Sequence, residues 1–205
     1  MRQILDRKSA VEGYLWDFPA PARNSGVELI LPLVNQETGV QAVLTAAAEG
    51  LVRLSTPGAI AVIDGGSSDR TVEVVDAFAE CSPVPVRVVG SSRPGWAAGA
   101  LRGVATTSAA WVGLGDPCSF GGRGPLLLAH AVRLLADGIH VVSVRSGGRH
   151  FTAMDSGIAA MIVGDEMPGG PDFVPKPRDT AGYAGLRMAA YGTVAPERSV
   201  RGMCA

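Results

Sequence analysis

The chain has 205 residues, 47% hydrophobic and 18% charged, a length that points to one domain and a composition that excludes general disorder. Its formal net charge of −1 leaves no basic excess for neutralising a phosphate backbone, which excludes nucleic-acid binding by charge. No uncharged apolar run approaches the roughly 18–20 residues of a membrane-crossing helix, the N-terminal residues turn to charge before a signal-peptide core forms, and Cys81, Cys118 and Cys204 match no zinc spacing, so a cytoplasmic protein with reduced thiols is expected.

Glycine and proline, 27 and 14 residues, assign much of the molecule to turns. Residues 1–26 mix charges with Trp16, Phe18, Pro19 and Pro21 and read as an N-terminal extension. Val27–Leu31 is an apolar run stopped by Pro32, as expected of a buried strand. From Thr38 to Arg53 the apolar positions Val40, Val43, Leu44, Ala47 and Leu51 follow helical spacing. Pro57-Gly58 is a turn, and Ala59–Ile63 is a second strand. Asp64-Gly65-Gly66-Ser67 breaks the chain again. Ser68 or Asp69 then caps a helix with the inner face Val74, Val75 and Phe78, and Glu73 suits its positive end.

Pro83 and Pro85 lead into a third strand, Val86–Val89. Trp96–Thr106 is alanine-rich and helical, and Ala110–Leu114 is a fourth strand. Pro125 suits the first turn of a helix carrying Leu127, Leu128, Ala131, Leu134 and Leu135. Ile139–Val144 is a fifth strand. Residues 146–177 dissolve into Gly, Pro and Asp around the apolar stretch Ile158–Val163. A weakly helical segment ends near Tyr191, and residues 196–205 form a flexible tail. Five strands alternating with helices predict an α/β fold: one domain over residues 27–195, with a mostly parallel sheet and helices on both faces.

Ligands bind such sheets beyond the carboxyl ends of the strands. Asn35, the Asp64–Asp69 segment, Arg93 and Asp116 follow the first four predicted strands, so all fall along that edge. The two glycines of Asp64-Gly65-Gly66-Ser67-Ser68-Asp69 let a ligand approach the backbone, and the next helix offers free N–H groups. The segment is neither a G-x-x-x-x-G-K-[ST] loop nor a G-x-G-x-x-G fingerprint. A carboxylate at Asp64 would repel phosphate but accept hydrogen bonds from a base or ribose, which favours a nucleoside contact.

Val62-Ile63-Asp64-Gly65-Gly66-Ser67-Ser68-Asp69-Arg70-Thr71 resembles the V-D-G-G-S-T-D-G-T signature after the second strand of family-2 glycosyltransferases. Pro32-Leu33-Val34-Asn35-Gln36 resembles the family's P-x-x-N-E, and Pro94 through Thr107 its glycine- and alanine-rich helix. Trp111 through Cys118 resembles its apolar strand running into D-x-D. The resemblance covers residues 27–145 in order and spacing. It implies the Rossmann-type GT-A fold, a nucleotide-diphosphate-sugar donor such as a UDP-sugar, and inverting transfer to an acceptor it does not identify; a homodimer is compatible with it. By position it implies that Pro32, Asn35, Asp64 and Gly65 hold the nucleotide and that Asp116 meets a Mg²⁺ or Mn²⁺ bound to the diphosphate. Residues 27–145 would form the nucleotide-binding part and 146–195 the acceptor-side part.

Three positions depart from the pattern. Cys118 replaces the second acid of D-x-D, and a thiol is a poor ligand for a hard cation. Gln36 replaces a glutamate, and Trp96 stands where a basic residue is common. For the catalytic base the resemblance points to Asp179, with Arg178 in place of the glutamate of an E-D pair and Asp165 as the alternative. An adjacent arginine keeps an aspartate ionised but makes it a weaker base. His130 and His140 fall in core elements and read as structural. His150 sits in a loop within reach of a diphosphate, and Gly121-Gly122-Arg123-Gly124 reads as a connection that could also cradle an anion. Cys118, Gln36 and Arg178 also support a second reading, a catalytically impaired relative that binds nucleotide or a partner protein.

Overall fold

The apolar run at Val27–Leu31 is the middle of a longer strand. The computed structural model describes residues 24–91, 95–115, 124–146, 149–160 and 188–193, and in it β1 spans Asn24–Leu33, reaching into the segment read as an extension. The expected stop at Pro32 does not occur. β1 pairs in parallel with β2 (Gly58–Asp64) as far as Leu33↔Asp64, but its pairing with β4 (Ala109–Gly115) ends at Ile30↔Leu114. Val27 donates its N–H to Pro57 and the Leu33 carbonyl accepts from Gly65, so odd residues of β1 bond toward β2 and even residues toward β4. The missing N–H of Pro32 therefore falls beyond the last β4 pair, where a strand tolerates proline.

The remaining strands are β3 (Val86–Gly90), β5 (Val141–Ser146), β6 (Arg149–Asp155) and β7 (Met188–Thr193). The described strands form one sheet in the order β3-β2-β1-β4-β6-β5-β7. Only β6 runs antiparallel among them, between β4 and β5. Two strands thus lie where the sequence reading placed none. β6 occupies the stretch read as irregular, and β7 replaces the weak helix expected to end near Tyr191. The fifth strand starts two residues later than expected because Ile139 belongs to a helix cap. Gly138, at φ +86°, turns the chain while Gly138 N–H reaches the Leu135 carbonyl and Ile139 N–H that of Leu134, the Schellman pattern.

Among the described residues four helices lie between β1 and β5: α1 (Val40–Val52), α2 (Thr71–Cys81), α3 (Trp96–Thr106) and α4 (Gly124–Ala136), and residues 156–160 are helical after β6. They cover both faces, as a parallel sheet requires. Leu29, Leu31 and Leu33 of β1 pack with Leu44 and Leu51 of α1, Val75 of α2 and Leu128 and Leu135 of α4. On the opposite face Ile30, Ala61, Ile63, Val112 and Leu114 pack under Ala100 and Val104 of α3. Right-handed crossovers that run in opposite directions along a sheet must use opposite faces. α1 and α2 carry the chain from β1 out to β3, α3 carries it back past β1 to β4, and the switch point lies beside β1.

The α3 face also holds a charged pair that spans β2. Arg87 Nε donates to Glu28 Oε1 and Nη2 to Oε2, both at 2.8 Å, while Nη1 reaches Thr106 Oγ1 at 3.1 Å. The Glu28 side chain is only 7% exposed but that of Arg87 is 34% exposed, so Glu28 loses its water to the pair while solvent still screens the guanidinium. The hydrogen bonds that Arg87 donates to Glu28 raise its pKa, against the opposing effect of burial.

Candidate functional site at the strand ends

The loops after β1 and β2 are laced together by side chains. Asn35 adopts a left-handed φ of +51°, a conformation asparagine tolerates. Its N–H donates to Ser67 Oγ at 3.0 Å, and its Oδ1 accepts the Ser68 N–H at 2.8 Å. One residue on, the Gln36 N–H donates to Thr71 Oγ1 at 2.7 Å. Glu37 and Asp69 exchange bonds with opposite backbones: Glu37 N–H to Asp69 Oδ2 at 3.1 Å, and Arg70 N–H to Glu37 Oε2 at 3.0 Å. The N-cap residue of α2 is Arg70, without a side-chain cap bond, rather than Ser68 or Asp69. Asp69 Oδ1 nevertheless accepts the Thr71 N–H at 2.9 Å, and Glu73 sits in the first turn as expected.

Asp64 closes the turn that follows it. Its Oδ1 accepts the Ser67 N–H at 3.0 Å and its Oδ2 the Gly66 N–H at 3.3 Å. A carboxylate offers about four acceptor sites, so two bonds leave capacity for a ligand. Gly66 has φ +93°, which favours glycine, and a Cβ on Gly65 would come within 2.5 Å of Val34 Cγ2. The two glycines thus serve different needs, one the turn and the other the close approach of the β1 and β2 ends.

On the α3 side of the same edge lies an open cavity of about 210 Å³. It is lined by residues 32–34, by Ile63 and Gly65, and by Gly95, Trp96 and Gly99 at the start of α3. Pro32 and Gly65 therefore line it directly. Asp64 lies between the liners Ile63 and Gly65, and Asn35 belongs to the laced loops instead. Asp116, the residue after β4, lies outside the described residues, as do Arg93, Cys118, Asp165, Arg178 and Asp179. Among the described residues no group of three or more His, Cys, Asp and Glu is placed to hold a metal.

His150 is not in a loop. It is 5% exposed in β6, with Nε2 2.9 Å from Ser143 Oγ, a pair joined across the β5–β6 hairpin. His130 is exposed on α4 rather than in the core, and His140 is half-buried ahead of β5. Sequence reasoning passed over Trp96 as a cavity residue and the Glu28–Arg87 pair. The first was legible from its place at the start of the helix after β3. The second joins residues 59 apart and had no local signal.

The sheet order and the helices on both faces are those of the GT-A fold class. Residues 28–117 match the family model described as glycosyl transferase family 2, and that segment holds the Pro32–Gln36 and Asp64–Thr71 motifs. Solved structures that share the fold include the following two. The mannosyltransferase PcManGT of Pyrobaculum calidifontis, solved with GDP-Man and Mn²⁺, aligns with a TM-score of 0.59 at 19% identity, over 94% of this chain and 64% of its own. Glucosyl-3-phosphoglycerate synthase of Mycobacterium tuberculosis, solved with Mn²⁺ and UDP-glucose, aligns with a TM-score of 0.55 at 18% identity, over 98% and 78%. The chain spans less than two thirds of the mannosyltransferase and 35% of the S. aureus TarS 1-349 structure. No curated protein matches it. No helix among the described residues is long and apolar enough to cross a membrane.

Proposed function

We propose that the chain transfers a sugar from a nucleotide-diphosphate sugar, a UDP-sugar first among them, to an acceptor hydroxyl with inversion at the sugar. The observation that carries this reading is the cavity at the β1 and β2 ends, walled by Pro32 and Gly65 from within the segment that matches the family-2 model. Residues 27–145 hold the donor and 146–195 the acceptor side, in a cytoplasmic enzyme. The free acceptor sites of Asp64 take hydrogen bonds from the ribose or base. Asp179 takes the proton of the acceptor hydroxyl as its oxygen bonds to the anomeric carbon and the bond to the diphosphate breaks.

The donor set at Asp116-Pro117-Cys118 bears on the metal. Magnesium is commonly held by one or two carboxylates together with substrate phosphates, so Asp116 alone fits a cation that arrives with the diphosphate, whereas Cys118 does not suit it. Mg²⁺ or Mn²⁺ there would offset charge on the departing diphosphate.

Calorimetric titration with UDP tests the donor site. Asp64→Asn keeps one oxygen for the Ser67 N–H but removes the charge, and should weaken binding by about 1.5–3 kcal/mol, the scale of a charge-assisted hydrogen bond. Equal affinity in both proteins would reject the Asp64 assignment. The second reading, a nucleotide-binding relative without turnover, draws on Cys118, Gln36 and Arg178 at normally acidic positions. It predicts UDP binding with no hydrolysis or transfer of any UDP-sugar in the presence of Mn²⁺.

A further inference from the structure

β3 is an edge of the sheet: among the described strands it pairs with β2 alone. Ile60 donates its N–H to the Pro85 carbonyl at one end of that pairing, and Ser91 donates to the Asp64 carbonyl at the other. A strand turns alternate residues toward a given neighbour. Arg87 and Val89 therefore bond toward β2, while the N–H and C=O groups of Val86, Val88 and Gly90 point out from the edge. The larger side chains are already engaged. Val86 and Val88 pack against the core under α1 and α2, Val89 packs on the α3 face, and Arg87 reaches inward across β2 to Glu28. Edge strands are commonly blunted by a charge, a proline or a bulge. Here the one charge is paired and turned away, Pro83 and Pro85 precede the strand, and the register against β2 runs unbroken.

We infer that β3 is an interaction surface for a second copy of this chain, paired antiparallel with its own β3 across a two-fold axis at Val88. The outward groups match themselves under that operation. Val88 meets the partner's Val88, and Val86 meets the partner's Gly90, so each exchanges both of its backbone bonds as in the hydrogen-bonded pairs of an antiparallel ladder. A closed two-fold contact requires such self-matching. Arg87 falls opposite the partner's Val89, which keeps like charges from lying directly across the join. A net charge of −1 per chain adds little repulsion between copies. Strand direction reverses at the axis, so the two cavities open at opposite edges of the joined sheet. The interface uses no residue of the cavity and is independent of the activity proposed for it.

Light scattering of the intact chain, from low-micromolar to near-millimolar concentration, should show the mass reaching twice that of one chain. Val88→Pro removes an outward N–H and sets a ring on the edge, while the ladder to β2 keeps its bonds. Proline is tolerated at such a position. Val88→Pro, with its thermal transition retained, should stay a single chain at every concentration. Amide exchange followed by NMR reads the same contact in the unaltered chain, so a variant that fails to fold leaves this readout in place. The Arg87 and Val89 N–H groups should be protected at every concentration, and those of Val86, Val88 and Gly90 only in the two-chain form. A single-chain mass throughout overturns the inference. So does association that survives in Val88→Pro, or that brings no protection to the amides of Val86, Val88 and Gly90. Protection of those amides in the single chain also overturns it, because the edge is then covered from within.

Discussion

The Asp69 carboxylate accepts the N–H and hydroxyl of Thr71 and the N–H of Glu37, so one side chain ties the start of α2 to the loop after β1. Burial acts to raise its pKa, but the bonds from Thr71 and Glu37 outweigh it and hold the group below its ordinary value of 3.8. A carboxyl depressed in the folded state contributes stability that is fully present above its unfolded pKa and is lost as pH falls through the lower folded value. Chemical denaturation followed from about pH 5 down to about pH 2 should therefore show a loss of stability concentrated below about pH 4. In Asp69→Asn that loss should be smaller, because the amide keeps an acceptor but does not titrate. Parallel acid limbs in the two proteins would show that Asp69 does not govern the window. The sequence marked Asp69 as a helix cap and so found the right acceptor. It missed the partners from the first loop, because Glu37 and Asp69 meet only when β1 and β2 pair in register.

At the scale of elements, α3 shows what alanine and glycine content alone leaves unread. The helix was legible from its composition, but the reason for Gly99 and Gly103 is its seat against β1. A Cβ at Gly99 would lie 2.8 Å from that of Pro32, and one at Gly103 would collide with Ile30 Cγ2 and lie 3.2 Å from Ile63 Cγ1. Glycine to alanine within a helix is ordinarily favourable by about 1 kcal/mol, while overpacking a core costs about 1–3 kcal/mol. The neighbours at Gly103 are strand side chains with no room to retreat, so the clash wins. Gly103→Ala should lower the denaturation midpoint by an amount equivalent to about 1–3 kcal/mol. Gly90→Ala, at the end of β3, is the control, with nothing within 4 Å of the added carbon, and should move stability by less than about 0.5 kcal/mol. Equal midpoints for Gly103→Ala and wild type would mean that α3 sits further from β1. The two unread strands have similar causes. In β6 the polar His150 and Thr152 are buried in the sheet, with His150 paired to Ser143, so Arg149–Asp155 never shows an apolar run. β7 reads Met-Ala-Ala-Tyr-Gly-Thr, and Met and Ala favour helices in isolation; its pairing with β5 overrides that preference.

For the whole molecule, the alternation of strands and helices and the two covered faces were legible, because each follows from short periodic segments. How the part after residue 146 joins the sheet was not, and that part bears the proposed base. β6 runs antiparallel and ends at Asp155, at the edge opposite the cavity, and β7, parallel to β5, begins at Met188 on that same opposite edge. Asp179 precedes Met188 by nine residues. At roughly 3.3–3.6 Å per residue that length reaches about 30 Å, whereas a six-residue strand such as β7 is about 20 Å long. A nine-residue separation is therefore long enough to span from Met188 to the ligand edge. Asp179→Asn keeps size and polarity but removes the basic site, so transfer from the preferred nucleotide sugar should fall by about 10²-fold or more. Nucleotide affinity measured by calorimetry should stay unchanged, since the proposal assigns the residue to the acceptor and not to the donor. A loss of transfer in Asp165→Asn with Asp179→Asn still active would move the base to Asp165. Retained transfer in both variants would place the base elsewhere in the chain, and a fall in nucleotide affinity in Asp179→Asn would assign it to the donor side.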